Sequence, residues 1–421
     1  METSLFINEH QPNSWKDVNS SLYEGLEFIA RNKQQHLQFT KVVNCSLSES
    51  KDNKNVDATI PTLMEKEIFE QPQSIQQSML GRVDFDNFKI HLNGIETFLN
   101  DLLRCRRIIL VGAGSSFHVA LACRQLMEEL LDLPVFVETS SDLLDREVPI
   151  FRDDVCIFIS QSGETSDVLN ACKYCKKKEA LLMGITNEEN STLSAETHFG
   201  INLNAGNEVG VTSTKTYTSQ FIVLTMFSLK MAEDKRSKQK RVQEIISEMK
   251  TIPDKVITVL KLNNYLKDLA QKYVNCKSLL VMGRGFQQAT CLEGSFKFKE
   301  VVNIHSEGIH SGELKHGPLA LIDENMPIIM IIMRDAIYEK CINAFQQVKA
   351  RGGKPIVICE EDDETTKNMV DISICIPKTS DCLMGILAII PFQLLSLHLA
   401  VLKGKNADEP QHLKKTITDD A

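Results

Sequence analysis

Arg107-Ile108-Ile109-Leu110-Val111-Gly112-Ala113-Gly114-Ser115-Ser116 is an apolar run of strand length that breaks at glycine and gives way to helical spacing over residues 116–131. The same order returns at Ser278-Leu279-Leu280-Val281-Met282-Gly283-Arg284-Gly285, with a second helical period over 287–300. Strand, glycine turn and helix in that order mark a parallel sheet wrapped by helices, and their recurrence marks an internal duplication. Working outward, strands are expected at 135–137, 155–159 and 181–185 in the first copy, and at 328–333, 355–359 and 372–376 in the second. The fold class predicted is therefore α/β, two tandem doubly wound (flavodoxin-like) parallel sheets. Residues 1–62 read as a polar, disordered segment with a short helix at 22–31; 63–255 as the first domain with lead-in helices, Pro72 marking a kink or helix start; 256–405 as the second domain; and 406–421 as a tail.

The composition narrows the function. At 421 residues, 43% hydrophobic and 24% charged, the chain has material for two cores. A net charge of -9 disfavours nucleic acid and anionic lipid surfaces as partners. The twelve cysteines lie in apolar runs, as small core residues do. Cys172 and Cys175 have redox or zinc spacing but no second pair, so no metal is expected. No apolar run is counted at the roughly 20 residues that span a bilayer, so no membrane association is expected and the cytoplasm is the expected location.

Three loops suit a phosphate, because strand ends and helix amino termini expose unpaired N–H groups. They are Gly112–Ser116, Ser160-Gln161-Ser162-Gly163-Glu164-Thr165 and Val211-Thr212-Ser213-Thr214-Lys215. The first lacks the third glycine of a dinucleotide fingerprint and the lysine of a P-loop. Hydroxyls at such places also cap helices, but three such loops in one domain favour a ligand. Downstream, Glu293, Lys297 and Glu300 share one helix face. A surface ion pair is the alternative reading. His316, in Gly312-Glu313-Leu314-Lys315-His316-Gly317-Pro318, pairs with Glu300 as a candidate acid and base.

At these residues the sequence resembles the isomerase portion of the glutamine:fructose-6-phosphate amidotransferase (glucosamine-6-phosphate synthase) family, which is built from two sugar isomerase (SIS) domains. The matching blocks are Met64-Glu65-Lys66-Glu67-Ile68-Phe69-Glu70-Gln71-Pro72, Phe151-Arg152-Asp153-Asp154, Ser160 to Thr165, Thr214-Lys215, Tyr217-Thr218-Ser219-Gln220, His305-Ser306-Glu307-Gly308 and Gly312 to Leu321. The resemblance implies that Ser115, Ser116, Ser160, Gln161, Ser162 and Thr165 hold a sugar phosphate, with Val211, Ser213 and Glu293 lining the site. It implies that His316 opens the furanose ring, that Glu300 moves a proton between C1 and C2, that Lys297 stands beside it, and that Lys415 of the tail closes over the sugar and forms an imine with its carbonyl. No cofactor and no metal are implied. The histidine comes from a neighbouring subunit in this family, so a homodimer with a shared active site is expected.

Departures accompany the match. The family's nucleophilic cysteine after the initiator methionine is absent, Met1 being followed by Glu2, so glutamine hydrolysis is not expected and ammonia is the expected nitrogen source. The family's Cys-Gly-Thr-Ser is Ala113-Gly114-Ser115-Ser116, its Val-Ala-Ser is Val211-Thr212-Ser213, and its Arg-Asn-Leu-Ala-Lys is Gln411-His412-Leu413-Lys414-Lys415. The competing expectation is a non-catalytic sugar-phosphate sensor, or a dimerising subunit that pairs with a glutaminase-bearing synthase.

Overall fold

The computed structural model describes residues 62–416. The helix expected at 22–31 and the disorder expected over 1–62 lie outside the described residues, Thr62 excepted. Thr62 opens helix α1 (Leu63–Phe69) by accepting a hydrogen bond from the Glu65 N–H at 3.1 Å. Pro72 occupies the first turn of α2 (Gln71–Met79), where a missing N–H costs nothing.

The first sheet is built from β1 (Arg107–Gly112), followed by α3 (Ser115–Leu131), β2 (Val135–Thr139), β3 (Asp154–Ile159), α4 (Ser166–Lys177), β4 (Leu181–Thr186), β5 (Phe199–Asn202) and α5 (Lys215–Met231). Helices α6 (Gln239–Leu260) and α7 (Asn263–Tyr273) lead to the second copy. It comprises β6 (Ser278–Gly283), α8 (Gln287–Lys297), β7 (His305–His310), β8 (Ile328–Ile331), α9 (Tyr338–Lys349), β9 (Ile356–Glu360), β10 (Ile372–Ile376) and α10 (Met384–Leu402). The spatial orders are β2-β1-β3-β4-β5 and β10-β9-β8-β6-β7. Every pairing in both sheets is parallel. Counted within each copy, both are the flavodoxin-like order, in which the chain reverses direction beside the first strand and leaves a crevice at the strands' carboxyl ends.

Burial explains why the central strands read so clearly. In β3 every residue is buried, and in β1 all but Arg107 are, as parallel sheets covered on both faces require. Strands β5 and β7 were not expected. Each is an edge strand, half exposed, and β7 carries mostly polar residues.

Three further findings differ from the sequence expectations. Helix α6 runs through the boundary expected between 255 and 256 and ends at Leu260. The helix expected over 287–300 ends at Lys297, and Phe298–Val302 is a π-helical turn carrying Glu300. Residues Asp381–Leu402 form an apolar helix of bilayer-spanning length, with mean hydropathy 2.1, which the sequence count missed. It is 89% buried and packs against α1, α6, α7 and α8, so its apolar surface is consumed inside the protein.

Candidate active site

The carboxyl ends of β1 and β3 face the crevice of the first sheet. Gly114 adopts φ +54, which an L side chain rarely takes, and so turns the chain from β1 into α3. That turn delivers Ser115 to the neighbouring domain. Ser115 Oγ donates to Glu293 Oε1 at 2.8 Å and accepts from Lys297 Nζ at 3.3 Å. Ser116 Oγ accepts from Gln220 Nε2 at 3.0 Å, while Gln220 Oε1 is buried with no partner among the described residues. After β3, Ser160 Oγ lies 3.3 Å from Thr165 Oγ1 and accepts the Gly163 N–H at 3.1 Å; Ser162 Oγ accepts the Glu164 N–H. Gln161 is half-buried in the same loop.

Glu293, Lys297 and Glu300 meet inside the protein, which excludes the surface ion-pair reading. Lys297 Nζ lies 3.1 Å from Glu293 Oε1 and 2.8 Å from Glu300 Oε2, with the Lys297 and Glu293 side chains fully buried. The π-helical turn places Glu300 here, one widened turn after Lys297. Each acid has its own electrostatic setting. Burial works to raise Glu293, but Lys297, His118 and Ser115 outweigh it and hold this carboxyl below its ordinary value. His118 Nδ1 donates to its second oxygen at 2.7 Å. At Glu300 burial wins: its value is raised, Lys297 only partly opposing, with Glu293 and Glu208 adding repulsion. Burial disfavours the charged form of Lys297, and the two flanking carboxylates more than offset it, so Lys297 stays a cation.

Glu208 is the residue that sequence reasoning missed. It is fully buried at the third loop, where Oε1 accepts the N–H groups of Thr214 (2.9 Å) and Thr216 (3.1 Å), and Oε2 accepts Thr216 Oγ1 (2.6 Å). Lys415 Nζ completes this network, 2.9 Å from Glu208 Oε2 and 2.6 Å from the Gly210 carbonyl. Glu208 lies close enough to the triad for its charge to add to the repulsion that raises Glu300. Glu67 Oε1 accepts the Val209 and Gly210 N–H groups, and the Asp408 carboxylate accepts those of Leu63 and Met64. The Met64–Pro72 block and the tail therefore clamp the third loop from two sides.

Ser213 Oγ lies 2.8 Å from Thr216 Oγ1, and Val211 is half-buried beside it. Thr212, where the resembled family has alanine, is fully buried and its hydroxyl has no described partner. His316 is exposed on the short helix Ser311–His316, and no hydrogen bond or ion pair among the described residues joins it to Glu300. One chain thus assembles Ser115, Glu293, Lys297 and Glu300, with Glu208 and Lys415 alongside, and leaves His316 apart. Cys172 and Cys175 are buried in the core of the first domain.

Residues 101–230 and 272–403 each match the family described as SIS domain. The chain is 54% identical over 355 residues to glutamine--fructose-6-phosphate aminotransferase [isomerizing] 2 of Homo sapiens, covering 84% of this chain and 52% of that one. It is 49% identical over 360 residues to glutamine--fructose-6-phosphate aminotransferase [isomerizing] of Saccharomyces cerevisiae, covering 84% and 50%. The chain spans about half the length of the curated relatives it matches. Among solved structures, the C-terminal domain of glucosamine-fructose-6-phosphate aminotransferase from Francisella tularensis has a TM-score of 0.79 at 31% identity, covering 84% of this chain and 100% of that one. Tagatose-6-phosphate ketose/aldose isomerase from Escherichia coli shares the fold, with a TM-score of 0.65 at 17% identity over 86% and 97% of the two chains.

Proposed function

The chain belongs to the SIS domain family, as an isomerase portion of the glutamine--fructose-6-phosphate aminotransferase type, and from that premise we propose that it binds fructose 6-phosphate in the first domain and moves a proton between C1 and C2. With ammonia the product is glucosamine 6-phosphate and water; without it, glucose 6-phosphate. The observation that carries this reading is the buried Glu293–Lys297–Glu300 triad bonded to Ser115 of the first glycine turn.

The serine-rich turns grip the phosphate with short neutral donors and the amino termini of α3 and α4. Glu300 takes the proton from C1 and returns it at C2; a carboxyl whose value is raised gives and accepts a proton more evenly near neutral pH than an ordinary one. Lys297, held as a cation, is not the base. It orients Glu300 and offers positive charge to the oxygen that becomes enolic. Lys415 is paired with Glu208 here, so imine formation requires it to leave that carboxylate and lose a proton. His316 of the partner subunit opens the ring, which makes a homodimer the working unit.

The test is to incubate the purified protein with fructose 6-phosphate, with ammonium and with glutamine in parallel. Glucosamine 6-phosphate is expected with ammonium. Release of neither amino sugar nor glucose 6-phosphate in any arm contradicts the proposal.

A further inference from the structure

The second domain repeats the first domain's crevice with different side chains. Gly285 has φ +58, close to the +54 of Gly114, and each glycine ends a strand and opens a long helix. The two helices α3 and α8 pack together, and each presents a residue to the other's turn. A β-carbon on Gly114 would lie 3.8 Å from Phe296, and one on Gly285 would lie 4.0 Å from Gln125 Oε1. Phe296 and Gln125 sit at the same offset from their own turn glycine. At matching offsets, Glu293 corresponds to Ala122 and Lys297 to Leu126. The acid and the lysine of the first crevice are thus replaced by apolar residues in the second.

What remains is a cavity of about 100 Å³, lined by Ala122, Arg124, Gln125, Gly285, Gln288 and His310 among others. That is room for several waters or one tetrahedral oxyanion. It opens at the amino terminus of the 11-residue helix α8. Arg124 is half-buried and makes no ion pair or hydrogen bond with any described residue. The same holds for Arg284, which does not itself line the cavity but stands near the lining residue His310, its guanidinium 3.2 Å from where a Gly312 β-carbon would be. The Gly312 N–H donates to His310 Nδ1 at 3.1 Å, which leaves Nε2 as the protonated, donating nitrogen. The next residue, Ser311, is buried with its hydroxyl unpaired among the described residues. The unpaired, half-buried guanidinium of Arg124 in the cavity, with Arg284 near its wall, favours a counter-anion, and the replacement of a carboxylate by Ala122 removes the charge that would repel one. Glu313 is the acid close enough to act on His310, and it is exposed.

We propose that this cavity in the second domain is a phosphate-binding site, held by Arg124, Arg284, His310 and the amino terminus of α8, and distinct from the sugar site of the first domain. Its ligand is a phosphate dianion, free or at the end of a sugar phosphate; with no acid or base at the positions of Glu293 and Lys297, and with Glu129 at the offset of Glu300 held by Arg241 at 3.0 Å, it binds without turning over.

Equilibrium dialysis of the full chain tests this, with labelled inorganic phosphate in one arm and labelled fructose 6-phosphate in the other. Three proteins are compared: unmodified, Arg124→Met/Arg284→Gln, and Ser160→Ala/Ser162→Ala. The double arginine variant is expected to lose one equivalent per chain, or at least tenfold in affinity for it, in at least one arm. The serine variant weakens the other site, so failure of the first-domain reading shows there and not in the arginine variant. Gln125→Glu, at an exposed position, puts a carboxylate at the cavity mouth and is expected to give the same loss should the arginine variant not fold. The arm that loses binding identifies free phosphate or the sugar ester. Binding by the arginine and Gln125→Glu variants equal to the unmodified protein in both arms overturns the proposal.

Discussion

The two crevices of this molecule share a strand order, a glycine turn with nearly the same backbone angle and a crossing helix from the other domain, yet they carry opposite electrostatics. In the first, hydroxyls line the turns, α8 contributes an acid and a lysine, and the π-helical turn after it contributes a second acid, the first two fully buried and the third nearly so. In the second, α3 contributes alanine and leucine at the offsets of Glu293 and Lys297, its Glu129 at the offset of Glu300 is paired with Arg241, and the unpaired Arg124 lines the cavity. The scaffold occurs twice, and the proposed chemistry belongs to the copy that receives the Glu293–Lys297–Glu300 triad.

The sharpest way to break that comparison is at Glu300. Glu300→Gln keeps shape and removes the proton carrier, so turnover of fructose 6-phosphate is expected to fall by about 10²–10⁴, while binding stays within a few-fold. Loss of binding equal to the loss of rate would reassign Glu300 to substrate grip.

The next effect is on stability. Lys297→Met leaves two buried carboxylates facing each other and is expected to cost about 3–5 kcal/mol. Leu126→Met, at the matching position of the first domain's helix, exchanges like volumes in a buried site and is expected to cost under about 1.5 kcal/mol. Chemical denaturation of both variants checks the contrast, and equal losses would show that the triad is ordinary packing.

Smaller again is the grip on phosphate. Ser160→Ala with Ser162→Ala removes two neutral donors and is expected to raise KM for fructose 6-phosphate by about tenfold to a hundredfold, at about 0.5–1.5 kcal/mol for each hydrogen bond, with kcat changed less. A fall in kcat alone would place these serines elsewhere in the cycle.

The pH dependence is the finest of these tests. Glu300 must be ionised to accept the C1 proton, and its value is raised above 4.5, so the acid limb of kcat/KM is expected above that pH; a limb at or below 4.5 would exclude Glu300 as its source. Glu293 moves the other way. Its folded value lies below 4.5, so the stability it contributes is complete above the unfolded value and is lost as pH falls through the folded one.

How much of this could be read from sequence follows from what each residue contacts. Runs such as Val155 to Ile159 are apolar because parallel strands are covered on both faces, and they marked both sheets. Strand β5 escaped because it is only four residues long, Phe199-Gly200-Ile201-Asn202, and β7 because His305-Ser306-Glu307-Gly308 gives no apolar period. The spacing of Glu293, Lys297 and Glu300 predicted their shared face but not their burial, which depends on α10 and α3 lying over them. Glu208 gave no local signal: its partners Thr216 and Lys415 are fixed by the loop and by a tail far along the chain. His316 shows the converse: it lies in a distinctive block of sequence, yet among the described residues nothing joins it to Glu300, and the role proposed for it needs a second copy of the chain.

The most direct measurement is proton exchange in deuterated water, following the C1 hydrogens of fructose 6-phosphate by NMR with the unmodified protein and with Glu300→Gln. Deuterium should enter C1 with the unmodified protein, and Glu300→Gln should bind the sugar phosphate while leaving C1 unlabelled. Labelling by Glu300→Gln at the unmodified rate would contradict the assignment of proton transfer to the buried triad.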